Sequence, residues 1–288
     1  MSTDPQEATI SGRAYPLKVM SFNILDYDNN ASGWTGRSGP GRCGRVIKTI
    51  QALRPDIIGL QEDRDNQDRD LYDALKDSYD YYGIGAADGN TAGRFNSIFY
   101  RHARFTRTDQ GTFWLSDAPD VVGSRFPGNP AVRTATWVTL HDNEAARRYF
   151  VLNTHWDNGS QSARDGAAKL LRERVPALSG GLPVIVTGDL NAEENNPAFL
   201  SLLGKEDPSG LQLRDSYREI FPEQHGEEGT VHMFEGSADG ARIDYVLHSD
   251  FFTAVDAMVD RQMVDGGWAS DHFAVMATLQ ATTTSDGP

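Results

Sequence analysis

VIVTGDLNAEENNPAF (residues 184–199) starts as a short buried strand and turns polar at once. Val184, Ile185 and Val186 favour a pleated, buried surface. Thr187 and Gly188 then lead into Asp189, Leu190 and Asn191. Two explanations compete. Asx chemistry can make a turn here or start a helix at NAEEN. Alternatively, the polar pair marks a reaction centre on the rim of a sheet.

The same signature recurs along the chain. Asn23 lies near the end of LKVMSFNIL (17–25), and Glu62 closes DIIGLQE (56–62). Asn153 and His155 end YFVLNTH (149–155), and Asp244 lies in RIDYVL (242–247). Asp271 and His272 precede a last strand in WASDHFAVM (268–276). Each has a bland explanation alone, as a cap, a turn residue or a solvated strand end. A lone histidine is more often structural than catalytic. Six such coincidences are improbable if those strand ends share one face. Phosphate-ester hydrolysis can use such a collection, since it needs an activated water and neutralised phosphoryl charge. Glu and Asp are hard oxygen ligands suited to Mg²⁺ or Mn²⁺, and no His/Cys cluster suggests zinc.

Around these motifs the chain alternates short apolar strands with a few amphipathic helices. Strands are predicted at 17–25, 56–62, 79–85, 97–101, 134–140, 149–154, 183–187, 242–248 and 273–279. Helices are predicted at 45–53, 68–77 and 162–178, where Leu and Val recur at helical spacing. Several strands follow one another without a helix between them, so simple βαβ winding fits poorly. Two sheets packed face to face with helices outside fit better. Loops at 27–44 and 117–130 are long enough to be functional. No repeat or linker divides the chain. One domain is predicted over 16–281, with flexible ends at 1–15 and 282–288.

Hydrophobic residues make up 39% of the 288 residues and aromatics 10%, enough for a real core. No apolar run approaches the roughly 20 residues of a membrane helix. The polar start MSTDPQEATISGRAYP carries no secretory pattern. Cys43 is the single cysteine, which excludes an intrachain disulfide; a reducing, cytoplasmic setting is the expectation. It sits in GPGRCGR, as an incidental or a reactive thiol. A net charge of −14 argues against coating long duplex nucleic acid, which demands many Lys and Arg contacts. The segment RSGPGRCGR (37–45) is the one local basic cluster.

In order along the chain, SFNIL, LQE, NTH, GDLN, RIDY and SDH make the sequence resemble the endonuclease/exonuclease/phosphatase superfamily. The match runs from about residue 17 to 279. The resemblance implies an α/β fold, a four-layer α-β-β-α sandwich with two mixed, mainly antiparallel β-sheets, as in DNase I-like proteins. It implies Glu62 as main metal ligand, with Asn23 beside it and Asp271 supporting a metal position. Asp189 would orient or deprotonate the water, and Asn191 would hold it or a phosphoryl oxygen. Asn153 and His155 would contact the phosphate. His272, oriented by Asp244, would stabilise the transition state. Related nucleases often carry Glu where AGRFNSIFYR (92–101) has Arg94, which leaves His155 without that acidic partner. Arg94 is either a phosphate-gripping fork or a solvated loop residue. GTFWLSDAPD (111–120), followed by Arg133, resembles a bacterial subgroup related to deadenylase-type catalytic domains, with Arg133 lining the cleft. Trp114 and Trp137 read as core; Trp156 reads as core or as a surface for stacking a base or sugar.

The leading expectation is a monomeric Mg²⁺- or Mn²⁺-dependent phosphoesterase with one or two ions. Its substrate would be a small phosphorylated molecule or a short single-stranded nucleic acid. The alternatives are a DNA or RNA nuclease proper and a non-catalytic binding module of the same fold.

Overall fold

The computed structural model describes residues 15–26, 33–35, 41–205, 207 and 210–282. Along the chain the elements are β1 (Leu17–Asn23), α1 (Arg42–Leu53), β2 (Ile57–Gln61), α2 (Asp65–Leu75), β3 (Tyr79–Tyr82), β4 (Ile98–Arg101), β5 (Phe105–Trp114) and β6 (Thr134–Asp142). Then follow β7 (Arg147–His155), α3 (Gln161–Ser179), β8 (Val184–Asp189), α4 (Pro197–Leu202), β9 (Arg214–Asp215), α5 (Ser216–Ile220), β10 (Asp244–His248), β11 (Phe252–Asp260) and β12 (Ala274–Ala281). Two six-stranded sheets result, ordered β11-β12-β1-β2-β4-β3 and β5-β6-β7-β8-β10-β9. Each is antiparallel except for one parallel pair, β1 with β2 and β7 with β8.

Strand alternation sorts the side chains into layers. Leu17 and Val19 of β1 face Ile57, Val151, Ile185 and Val246 between the sheets. Met20 and Phe22 point the other way, onto Val46 and Ile50 of α1 and Leu71 of α2. On the second sheet, Val184 and Val186 meet Leu171 and Val175 of α3 and Phe199 of α4. Every residue of β8 is buried because both of its faces are covered. This is the four-layer arrangement with helices outside.

The inner layer grades from apolar to polar toward one edge. One rung above the aliphatic core, Gln61 Nε2 donates to Ser21 Oγ at 3.1 Å and to Asn153 Oδ1 at 2.7 Å. Thr187 Oγ1 donates to the same Asn153 oxygen at 3.0 Å. The Asn153 amide donates to the carbonyls of Leu60 and Ser97. The sheets approach closely here: a Cβ on Gly59 would lie 2.0 Å from Thr187 Oγ1. This rung fastens the two sheets, and the next rung outward is the rim.

The elements differ from the sequence reading at the margins of the fold. β5 and β11 were not anticipated, and both are sheet edges, where charged residues break the apolar pattern. The helix predicted at 45–53 starts at Arg42, so the long loop expected at 27–44 ends earlier and Cys43 is a buried helix residue. NAEEN does not start a helix; the start is Asn196, whose side chain accepts from Ala198 N, with Pro197 in the first turn. The flexible ends expected at 1–15 and 282–288 lie outside the described residues apart from Tyr15 and Thr282. Tyr15 O accepts from Arg104, and Thr282 N donates to Phe251 O. No described helix is long and apolar enough to cross a membrane.

Candidate active site

Register brings the polar strand ends together. Across the second sheet, His155 pairs with Asp189 and Asp189 pairs with Asp244, one row over β7, β8 and β10. The end of β1 faces this row from the opposite sheet, and Asn23 Nδ2 donates to Asp189 Oδ2 at 2.9 Å. β12 runs antiparallel to β1, so its beginning, with Asp271 and His272 just before it, lies at the same edge. Asn23, His155, Asp189, Asp244, Asp271 and His272 are all under 10% exposed.

Asp189 is the hub. Its Oδ1 accepts from Asn191 N at 2.9 Å, and its Oδ2 lies 3.4 Å from His155 Nε2 and 3.9 Å from His272 Nε2. Burial raises its pKa, Asp244 raises it further, and His272 and Asn23 oppose; the result is about 7. A carboxyl poised there can hold or release a proton near neutrality. His272 Nδ1 lies 2.9 Å from Asp244 Oδ2. Burial alone would lower this imidazole, but Asp244, Asp189 and Asp271 outweigh it and lift it to about 10. His272 is therefore an imidazolium at neutral pH, aimed at Asp189.

Three left-handed residues follow three strands at this edge: Leu25 (φ 53°), Glu62 (φ 62°) and Asn191 (φ 46°). Asn tolerates this region, whereas Glu pays roughly 1–3 kcal/mol for it. Alternation after Gln61 would send Glu62 toward the helices. The reversed backbone turns it to the rim instead, where Oε1 lies 3.2 Å from Arg94 Nη1 and 3.9 Å from His155 Nδ1. Arg94 Nε also donates to Asp26 Oδ2 at 2.7 Å. Burial would raise the Asp26 carboxyl, but Arg94 and Arg64 hold it below the usual range.

His155 has an arginine where an acidic partner is common. Arg133 Nη1 lies 2.9 Å from Nδ1. Burial, then Arg133 and Arg94, push this imidazole well below its ordinary pKa, so it is neutral. The Asn191 amide lies 2.9 Å from Nε2 and donates to Trp156 O at 3.1 Å.

A family model for the endonuclease/exonuclease/phosphatase family matches residues 20–272. The chain belongs to that family. No curated protein is similar enough to stand as a relative. Among solved structures, an endonuclease/exonuclease/phosphatase family protein from Bacteroides thetaiotaomicron is 28% identical with a TM-score of 0.82, over 94% of this chain and 99% of that one. A mannosyl-6-phosphatase from Bacteroides thetaiotaomicron is 29% identical with a TM-score of 0.79, over 91% and 99%. The human Nocturnin catalytic domain with bound sulfate shares the fold at 20% identity, with a TM-score of 0.74 over 93% and 95%.

The family resemblance implies a divalent metal, and the donors at the rim fit one. Glu62 Oε2 is buried without a hydrogen-bond partner, as is Asp244 Oδ1. Unsatisfied buried carboxylate oxygens are costly unless something absent completes them. Asn23 Oδ1 accepts from Leu25 N at 3.0 Å and keeps a second lone pair. Asp271, Asp26 and Glu62 all bear electrostatically on Arg42 and so surround it. Asp189, Asp244 and His272 each bring one ligand atom within 4.8 Å of the others. A positively charged His272 bound to Asp244 suits a hydrogen-bonding role better than a ligand role.

Two expected substrate contacts are corrected. Asn153 is fully buried in the inter-sheet rung with its amide satisfied, one layer beneath the rim. Trp156 is fully buried on the helix side, packed with Leu171 and Leu190, because alternation sends it opposite to His155. The basic segment at 37–45 is also no free patch as far as it is described. Arg42 donates to the carbonyls of Leu25 and Ala269, and Arg45 to that of Trp268; Arg37 lies outside the described residues. Sequence reasoning missed Asp26 and Arg42. Asp26 follows SFNIL directly, which was the available signal; Arg42 was seen only as part of the basic cluster at 37–45, because its partners are backbone carbonyls.

Asp63 and Asp68 form a second buried acid pair behind Glu62. Ser97 N donates to Asp63 Oδ2 at 3.1 Å and Ser97 Oγ to Asp68 Oδ2. Burial raises both carboxyls, Asp63 to about 6 and Asp68 well above its ordinary range, with the charge of Asp63 adding to it. The folded chain keeps a proton that the unfolded chain loses above 3.8, so stability falls as pH rises through about 6. Asp68→Asn, measured with chelator present, should raise Tm at pH 8 by a few degrees, about what 1 kcal/mol gives at this size. At pH 4 the two proteins should melt together. An equal or lower Tm for the variant at pH 8 would contradict the shared proton.

Proposed function

We propose that the chain is a Mg²⁺- or Mn²⁺-dependent phosphoesterase that hydrolyses a small phosphorylated molecule or a short single strand by in-line attack of water. The observation that carries this reading is the rim itself: Asp189 within reach of Asn23, His155 and His272, facing a strained Glu62 with an unpartnered oxygen. Glu62, with Asn23 and Asp271, would hold the ion, which would neutralise phosphoryl charge and polarise the ester. Asp189 takes the proton of the attacking water, and Asn191 and His155 orient the water or a phosphoryl oxygen. His272, kept charged by Asp244, faces the negative charge that develops on the phosphoryl group. Arg94 and Arg133 hold phosphoryl oxygens.

A compact, polar leaving group is supported by a neighbouring recess. A cavity of about 270 Å³ is lined by Glu193, Glu194, Asn195, Gln224, His225 and Arg242. Glu193 is two residues from Asn191 and Arg242 two from Asp244, so the recess lies within about 7 Å of the rim along the chain. Its polar walls suit hydroxyls better than a base or a lipid tail. The mannosyl-6-phosphatase is a relative whose name describes such a substrate.

A panel of phosphate esters assayed with Mg²⁺, Mn²⁺ and chelator tests the reading. Turnover should appear with either ion and vanish with chelator. Glu62→Gln should raise the Mn²⁺ concentration for half-maximal activity about 10- to 100-fold, the usual consequence of disturbing a metal site. A variant whose metal titration overlays wild type removes Glu62 from the ligand set.

A further inference from the structure

Arg133 is a buried guanidinium without a counter-ion. It is 6% exposed, its one hydrogen bond at the site goes to the His155 imidazole, and its Nε is buried without a partner. It makes no ion pair among the described residues. Glu62, Asp189 and Asp157 act on it electrostatically, but none of them pairs with it directly. Breaking or omitting the partner of a buried charge is expensive, and this chain carries a net charge of −14 from which to supply one. A buried guanidinium that no carboxylate pairs with directly has donors left for an anion from outside.

The surroundings define that counter-charge. A run of contacts links the two arginines: Arg94 Nη1 to Glu62 Oε1 at 3.2 Å, Glu62 Oε1 to His155 Nδ1 at 3.9 Å, and His155 Nδ1 to Arg133 Nη1 at 2.9 Å. Two planar forks thus flank Glu62 and His155 at the rim, the Arg94 fork being paired with Glu62 and Asp26. Arg133 is 6% exposed, so only a small part of its fork is open to a ligand oxygen. A terminal phosphate offers three unsubstituted oxygens and close to two negative charges at neutral pH. A diester offers two such oxygens and one charge.

We propose that Arg133 and Arg94 form a receptor for the unsubstituted oxygens of a terminal phosphate, which makes the rim selective for phosphomonoesters over diesters. This rests on the phosphoesterase reading for its catalytic consequence, but the receptor can be tested without turnover.

Calorimetry on the Mg²⁺-loaded protein, with inorganic phosphate and dimethyl phosphate as probes, makes that test. Inorganic phosphate should bind at least about tenfold more tightly, since it adds charge-assisted hydrogen bonds. Arg133→Gln should bring the two probes to within about threefold of each other by removing those bonds. Arg94→Gln, at a half-exposed side chain, should reduce the same preference and guards against a fold defect in the first variant. Equal binding of both probes to wild type, or an unchanged preference in both variants, overturns the receptor. In the kinetic arm, kcat/KM for p-nitrophenyl phosphate should exceed that for bis-p-nitrophenyl phosphate, and Arg133→Gln should narrow the gap. Preference for the diester overturns the selectivity but leaves the phosphoesterase reading intact. Hydrolysis of neither ester sinks the phosphoesterase reading, and the calorimetry still decides on the receptor.

Discussion

Asp189→Asn should lower kcat by roughly 10³-fold, within the range for loss of a general base, while leaving the protein folded. The amide keeps the size of the carboxyl, and its one carbonyl oxygen can still accept from Asn191 N, while its NH2 gives up the bond from Asn23 Nδ2. It cannot take a proton from water. Stability should move the other way. In wild type this carboxyl is raised to about 7 by burial and by Asp244, so its ionisation costs stability from 3.8 upward, fully so above about 7. In metal-free buffer the variant should therefore melt at or above the wild-type temperature at pH 8 and no higher at pH 4. Loss of turnover with a preserved or raised Tm separates chemistry from folding. Wild-type turnover in the folded variant would remove Asp189 from the water-activating role.

His272→Gln is the second large effect, a loss of about 10²- to 10³-fold in kcat, comparable to removing one transition-state donor. Its mechanism has a distinctive pH signature, read through Asp244→Asn. The imidazolium contributes stability that is complete below 6.5 and lost as pH rises through about 10. Without the carboxylate 2.9 Å from Nδ1, the largest influence raising the imidazole is gone and it titrates lower. The alkaline limb of the pH–rate profile should therefore move down by at least about two units in Asp244→Asn, each unit being 1.36 kcal/mol of lost pairing. The stability cost of Asp244→Asn should be largest near pH 6 and shrink toward pH 10. An alkaline limb that stays in place would mean that His272 acts uncharged or acts elsewhere.

These expectations depend on neighbours that a sequence reader sees at different resolution. The apolar alternation of 17–23, 57–61 and 184–189 was legible because burial on both faces leaves a continuous hydrophobic run. The edges at 105–114 and 252–260 were not, since one-sided pairing lets polar residues interrupt the pattern. At the site, Asp189, Asp244 and His272 stood out as polar breaks at strand ends, and register then set them side by side. Asn153 and Trp156 looked equally plausible from the same motif. Only the pleat separates them from His155: one sits a rung below the rim, and the other faces the helices.

The sequence by itself determined the alternation of strands, the two-sheet sandwich with outer helices, and the set of acids, amides and imidazoles available for chemistry. Those follow from local periodicity, which each segment carries within its own residues. The tertiary structure decided which of those groups meet, that Glu62 turns to the rim through a left-handed backbone, and that Arg133 stands buried beside a neutral His155. Such facts depend on register and on inter-sheet packing, where a shift of one residue exchanges core for rim.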